Sequence, residues 1–160
     1  MRPITKESVC DLVERGDERA LLLLFDQDPD RVRRYLTRLS YAPESPLHEG
    51  AISCIRFLAE QRTACMPEFF LETIRRHLWA MNEEGGNIDW SAPEIVGAVI
   101  AGSPALFGKF FSYAFCAAVD EPTFQPSLVR AFDMVACAQP ELVEEFSSRI
   151  DTLRTTGSIE

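Results

Sequence analysis

Apolar residues recur along this chain at intervals of three and four positions, with no convincing stretch of the every-second-residue alternation of a half-buried strand. Val9, Leu12 and Val13 share one face, and Val32, Tyr35, Leu36 and Leu39 follow an i, i+3, i+4, i+7 series. Phe70, Ile74, Leu78 and Met81 form a further stripe, and Leu106, Phe107, Phe110, Phe111, Ala114 and Phe115 a broader one. Leu128, Val129, Phe132 and Val135 repeat the pattern, as do Leu142, Val143, Phe146, Ile150 and Leu153. A period near 3.6 sustained in this way predicts an all-α protein. The helices expected are 5–15, 18–26, 29–40, 46–61, 67–82, 92–101, 104–119, 125–138 and 140–153.

Prolines punctuate these segments. Pro29, Pro46, Pro67, Pro93, Pro104, Pro126 and Pro140 fall at or near expected helix starts, where the amide hydrogen that proline lacks would have no partner within the helix. Asp28, Ser45 and Ser103 stand before three of them as candidate caps. Ser91-Ala92-Pro93-Glu94 fits a capping box, in which Ser91 accepts from the first turn and Glu94 reaches back, an arrangement worth about 1 kcal/mol.

The spacing of these starts organises the chain. Alternate prolines fall at 29, 67, 104 and 140, separated by 38, 37 and 36 residues, and a second set falls at 46, 93 and 126. A two-helix unit repeated about three times, with a fourth begun, is the mark of an α-solenoid close to the HEAT and armadillo class. The expectation is one domain: a right-handed HEAT-like α-α superhelix of antiparallel helix pairs. Residues 1–27 would cap it, 28–154 would form the pairs, and 155–160 would be a frayed tail.

Between the two helices of the second pair lies Met81 to Glu94, rich in acids, glycines and asparagines. Helix–helix links commonly run about 2–8 residues, so this tract is longer than joining requires. Read with its flank, it is Leu78-Trp79-Ala80-Met81-Asn82-Glu83-Glu84-Gly85-Gly86-Asn87-Ile88-Asp89-Trp90-Ser91-Ala92-Pro93-Glu94. It resembles the tract L-W-x-M-N-D-E-S-G-G-I-G-W-x-A-P-E of a bacterial family of HEAT-like-repeat proteins. That family is labelled by similarity to the phycobilisome-lyase HEAT-like repeat and occurs largely in sulfate-reducing and related anaerobic bacteria. Leu39-Ser40-Tyr41 and Pro140-Glu141-Leu142-Val143 resemble its other helix ends. The chain departs from the pattern where Gly85-Gly86-Asn87 replaces S-G-G and Asp89 replaces a glycine. The resemblance implies the solenoid fold and brings no assigned activity with it.

Composition narrows the function. With 25 acids against 16 lysines and arginines the net charge is -9, which disfavours nucleic acid and anionic membranes as partners. The odd set Cys10, Cys54, Cys65, Cys116 and Cys137 contains no C-x-x-C pair and suits free thiols in a reducing cytoplasm. Cys54, Cys116 and Cys137 sit in apolar helical patterns and are expected in the core, with Cys65 the most exposed. The start of the chain is charged and carries no leader pattern, and the apolar run 20–25 is too short to span a bilayer.

Two sets of residues are candidates for binding. The first is the loop Asn82, Glu83, Glu84, Gly85, Gly86, Asp89 and Trp90. Its glycines can end one helix and reverse the chain, Trp90 is expected to fill the gap between units, and its acids are left over to meet a basic partner group or a cation. The order of an EF-hand loop is absent. The second set is a stripe of Arg31, Arg34 and Arg38 on one helical face with Arg75 and Arg76 on the matching helix of the next unit. It could grip a carboxylate or phosphate, or simply form solvated ion pairs such as Glu72 with Arg76. His48 and His77 lack metal-ligand spacing, and no motif points to a nucleophile, a metal or a cofactor. The aromatic group Phe107, Phe110, Phe111, Tyr113 and Phe115 is expected in the core. The sequence therefore points to a non-catalytic protein-interaction module whose protein partner it does not identify. A lyase-like or small-ligand- or metal-responsive protein built on the acidic 82–90 loop is the alternative.

Overall fold

The structure, a computed structural model, describes residues 3–82 and 89–157. The described residues form helices joined by turns, with no strand. The helices are α1 (Lys6–Arg15), α2 (Glu18–Gln27), α3 (Pro29–Leu39), α4 (His48–Arg62), α5 (Pro67–Asn82), α6 (Ala92–Gly102), α7 (Pro104–Phe107), α8 (Phe111–Ala118), α9 (Gln125–Ala138) and α10 (Ser147–Gly157). Among the described residues no single helix is long and apolar enough to cross a membrane.

Local chemistry sets most of the boundaries. Thr5 caps α1 by accepting from the Ser8 amide at 3.1 Å while Ser8 Oγ accepts from the Thr5 amide at 3.0 Å. Gly16 ends the helix at φ 68°, in the left-handed region that glycine enters without a Cβ clash. Asp28 caps α3 through the Arg31 amide, and Pro29 occupies its first turn. Ser45 does not open a helix at Pro46. Its Oγ instead accepts from the Leu47 amide at 3.2 Å in a turn, and α4 begins at His48.

Two expected helices are interrupted. The segment 104–119 leaves α geometry at Phe107 (φ -111°, ψ 0°), passes through a 3-10 turn at Gly108–Phe110 and resumes as α8. The segment 140–153 begins as two 3-10 turns, Pro140–Leu142 and Glu144–Phe146, separated by Val143 at φ -122° and ψ 0°. In both places the irregular residue is buried, so the break turns a side chain into the core.

The centre of the molecule is α6. Residues 92–101 are all buried, and the helix packs against α4, α5, α8 and α9. Its small residues permit close approach. A Cβ on Gly97 would lie 2.8 Å from Ala131 Cβ of α9, and one on Gly102 would lie 2.6 Å from Ala59 Cβ of α4. Around α6, Phe25, Phe69 and Phe70 pack with ring centroids 5.2–6.0 Å apart, and Phe111 stacks on Phe146 at 5.4 Å. Such contacts add to the area-dependent burial of each ring.

Several expectations about the core need correction. Cys54 is buried, but Cys116 and Cys137 are exposed along with Cys65. On α8 the inward positions are Phe111, Ala114 and Ala118, and on α9 they include Leu128, Ala131 and Val135. Each of the two cysteines lies two residues past an inward position, about 200° around the helix. Phe107 and Phe111 are buried and Phe110 and Phe115 are half-buried, whereas Tyr113 faces solvent.

Candidate functional site

A cleft of about 1310 Å³ lies between α3 and α5 and reaches the start of α6. Five α3 side chains line it: Asp30, Arg33, Arg34, Thr37 and Arg38, with Tyr41 just beyond the helix end. From α5 come Arg76, His77, Trp79 and Ala80, and Asp89 and Trp90 complete it.

The arginines divide into two kinds. Arg33 is buried, with its guanidinium 4.0 Å over the Phe69 ring. Its Nη1 donates to Thr73 Oγ1 at 3.0 Å and to the Phe69 carbonyl at 3.3 Å, and its Nη2 donates to Asp30 Oδ1 at 2.7 Å. Burial, with the nearby Arg76 charge, lowers its pKa, and Asp30 and Glu72 act in the opposite sense. It is a structural cation that ties α3 to α5. Arg34 and Arg38 are one helical turn apart and exposed, and neither forms an ion pair among the described residues. Arg76, also exposed, donates to Glu72 Oε1 at 2.8 Å.

Aromatic side chains stand beside these cations. Of the six large hydrophobic side chains exposed among the described residues, three line this cleft: Trp79 (66% exposed), Trp90 (50%) and Tyr41 (50%). Trp90 was expected to fill the gap between helix pairs. It is half in solvent instead, because the α6 start is already filled by Ser91, Ala92 and Pro93, all buried. Burial raises the Tyr41 pKa, reinforced by the Asp89 charge and opposed by Arg38.

The cleft floor holds a histidine–carboxylate pair. His77 Nδ1 lies 2.8 Å from the Thr73 carbonyl, which can only accept, so Nδ1 carries the hydrogen. Nε2 faces Asp89 Oδ2 at 3.4 Å. Asp89 Oδ1 accepts from the Ser91 amide at 3.2 Å. Burial lowers the His77 pKa and raises that of Asp89, since charge on either is disfavoured there.

A second buried network fixes the cleft's inner end. His48 Nδ1 donates to the Ser40 carbonyl at 2.8 Å, and its Nε2 lies 3.0 Å from Glu94 Oε2. Arg130 Nη1 donates to Glu94 Oε1 at 3.0 Å, and Ser127 Oγ accepts from the Glu94 amide at 3.0 Å. Ser91 Oγ donates to the same Ser40 carbonyl. The capping box expected at Ser91–Glu94 is therefore not formed, and Ser91 makes no side-chain cap. Both side chains are drawn into tertiary bonds that tie the end of α3 to the start of α6. Tyr41 follows Ser40 directly, and it lines the same cleft as Asp89 and Trp90.

The residues singled out from sequence are thus partly brought together. Arg34, Arg38, Arg76, Asp89 and Trp90 share the cleft. Arg31 lies outside it, paired with Asp28 at 3.5 Å and donating to the Ile4 carbonyl. Arg75 is exposed away from the cleft, and Asn82 bonds back to the Leu78 carbonyl of its own helix. Glu83, Glu84, Gly85 and Gly86 lie outside the described residues. Sequence reasoning missed Arg33, Tyr41, His77 and Trp79. For Arg33 there was a signal, since it falls beside Val32 and three before Leu36 on the inward face of α3. Among the described residues no group of three His, Cys, Asp or Glu side chains is placed to hold a metal ion. No family model, curated protein or solved structure matches this chain.

Proposed function

We propose that this protein is a non-catalytic protein-interaction module, a HEAT-like superhelix of helix pairs that docks a partner protein in the α3–α5 cleft. The pairing α3/α4, α5/α6 and α8/α9, with α4, α6 and α9 in contact as successive second helices, supports the repeat reading. So does the sequence resemblance of the Leu78–Glu94 tract. The observation that carries the functional reading is the gathering of both tryptophans, Tyr41 and the exposed Arg34, Arg38 and Arg76 in one cleft. Trp, Tyr and Arg are the residue types in which interface hot spots are enriched. At about 1310 Å³ the cleft also exceeds the roughly 300–1,000 Å³ of most small-molecule pockets, which favours an extended segment of a partner.

The alternative, a lyase-like or small-ligand-responsive protein, draws support from one loop acid, Asp89, meeting His77 in the cleft. Both His77 ring nitrogens are already engaged by Thr73 and Asp89, which favours a structural role for the pair. The test is affinity capture from the native host with the wild-type chain and with Trp79→Ala/Trp90→Ala. A partner recovered by the first and lost by the second supports docking in the cleft. Equal recovery by both would remove the cleft from the account.

A further inference from the structure

Charge balance in the cleft says what the docked segment carries. Arg33 and Arg76 are matched by Asp30 and Glu72 through contacts of 2.7 and 2.8 Å. Asp89 is turned inward onto His77 and is only 11% exposed. Arg34 and Arg38 remain without an acidic partner among the described residues. They project from one helix a single turn apart, roughly 6 Å between Cβ atoms. Two cations thus stand at one place without an acidic contact among the described residues, on a protein whose net charge is -9. Among the other described arginines, Arg19 and Arg75 also lack such a partner, but both lie outside the cleft. Arg15, Arg56, Arg62, Arg149 and Arg154 each have an Asp or Glu within 4.0 Å.

We propose that the α3–α5 cleft selects a partner segment bearing a compact dianion, one phosphoryl group. Arg34 and Arg38 hold it from α3, Arg76 faces it from α5, and neighbouring apolar groups of the segment rest on Trp79 and Trp90. This proposal rests on reading the cleft as a docking surface. A guanidinium presents a planar fork of donors to such oxygens, and bidentate contacts of this kind are stronger than neutral ones. The tryptophans supply the contact area that phosphate or carboxylate alone lacks.

Both tryptophans lie in the cleft, so tryptophan fluorescence, excited selectively, reports on it alone. The experiment titrates the protein with three acetylated peptides of identical Leu-Phe flanks, carrying phosphoserine, Glu-Glu or Ser-Ser at the centre, with inorganic phosphate as competitor. The phosphoserine peptide should bind at least about tenfold more tightly than Ser-Ser and more tightly than Glu-Glu, and added salt should weaken it. Arg34→Gln/Arg38→Gln, at two exposed positions, should abolish the preference and leave the far-ultraviolet circular dichroism unchanged. Preference for phosphoserine alone, relieved by inorganic phosphate, assigns a phosphoryl group. Equal binding of the Glu-Glu peptide would overturn the phosphoryl assignment in favour of paired carboxylates. Three equal affinities, no binding by any peptide up to millimolar concentration, or a preference surviving in the double variant would overturn the proposal. Should Trp79→Ala/Trp90→Ala still lose the captured partner in that event, the docking surface stands and only the dianion is refuted.

Discussion

Glu94 offers the sharpest test of how the cleft is held in shape. Its carboxylate is 3% exposed, and it accepts from Arg130 at 3.0 Å and lies 3.0 Å from His48 Nε2, itself on a side chain only 2% exposed. Glu94→Ala removes the partner of His48 in a site water does not reach. Leaving a buried polar group unpaired costs about 1–3 kcal/mol, and loss of the buried Glu94 methylene adds about 0.8 kcal/mol. The Arg130 half adds little, because that side chain is 46% exposed and can turn to water. The expected loss is thus about 2–4 kcal/mol. With a urea m-value of about 2 kcal/mol/M, the midpoint should fall by about 1–2 M.

Glu94→Gln separates polarity from volume. Its amide can donate to His48 Nε2 while its oxygen accepts from Arg130, so the geometry survives and the loss should be about 1 kcal/mol. In a cycle with His48→Ala, the two alanine losses should fall short of additive by about 1–3 kcal/mol. The assay is urea denaturation at pH 7 followed by circular dichroism. A midpoint for Glu94→Ala within about 0.3 M of wild type would refute the reasoning, as would a strictly additive cycle.

Three other outcomes follow from packing and ionisation. Gly102→Ala should lower stability by about 1–2 kcal/mol in thermal denaturation, against the usual gain from alanine in a helix, because the new Cβ would meet the Arg56 carbonyl at 2.7 Å and Ala59 Cβ at 2.6 Å. With a thiol reagent in native conditions Cys65, Cys116 and Cys137 should label rapidly. Cys54, buried and with its pKa pushed up to about 12 by burial and then by the Glu18 charge, should label only after unfolding. Burial lowers the His77 pKa below 6.5, so the unfolded chain takes up that proton first and stability falls as pH drops below about 6.5, by at most about 1.4 kcal/mol per pH unit. Asp89, raised by burial, acts with the opposite sign between its unfolded value of 3.8 and its folded one. Urea midpoints at two pH values spanning that range should drop more for wild type than for His77→Gln, and equal drops would contradict the assignment.

How far the sequence reached depends on the range of the forces involved. Helix existence was readable because periodicity, prolines and caps act within one turn: Pro29 with Asp28 marked α3, and Pro67 marked α5. Tertiary demands then overrode local rules at particular residues. Ser91 and Glu94 have the spacing of a capping box, but the Ser40 carbonyl, His48 and Arg130 take their side chains. Cys116 and Cys137 sit among apolar neighbours, yet the inward arc of each helix is set by α6, which no local pattern locates. The basic stripe was legible only as a direction. Helical spacing grouped Arg31, Arg34 and Arg38, whereas the neighbouring Asp28 and the amino-terminal segment pulled Arg31 out of the cleft. His77 was unreadable as a site residue because its partners, Thr73 and Asp89, gain meaning only once α5 meets the start of α6.

Electrostatics of opposite sign operate at two ranges on this molecule, and kinetics can separate them. The net charge of -9 repels an acidic segment at a distance, while Arg34, Arg38 and Arg76 attract it on contact. The screening length is about 30 Å at 0.01 M salt and about 8 Å at 0.15 M. At the lower salt an approaching acidic peptide therefore feels the whole surface, and at the higher salt chiefly the cleft. Raising salt across this range should increase the association rate constant, by relieving repulsion, and also the dissociation rate constant, by loosening guanidinium contacts. Stopped-flow tryptophan fluorescence with the better-binding acidic peptide measures both. An association rate that falls with salt would mean that the arginine field extends beyond the cleft and steers the encounter. In that case the acidic surface would have no part in selecting the partner. A rise in both rate constants in wild type, with a dissociation rate that loses its salt dependence in Arg34→Gln/Arg38→Gln, would assign selectivity to contacts made only after the segment has entered.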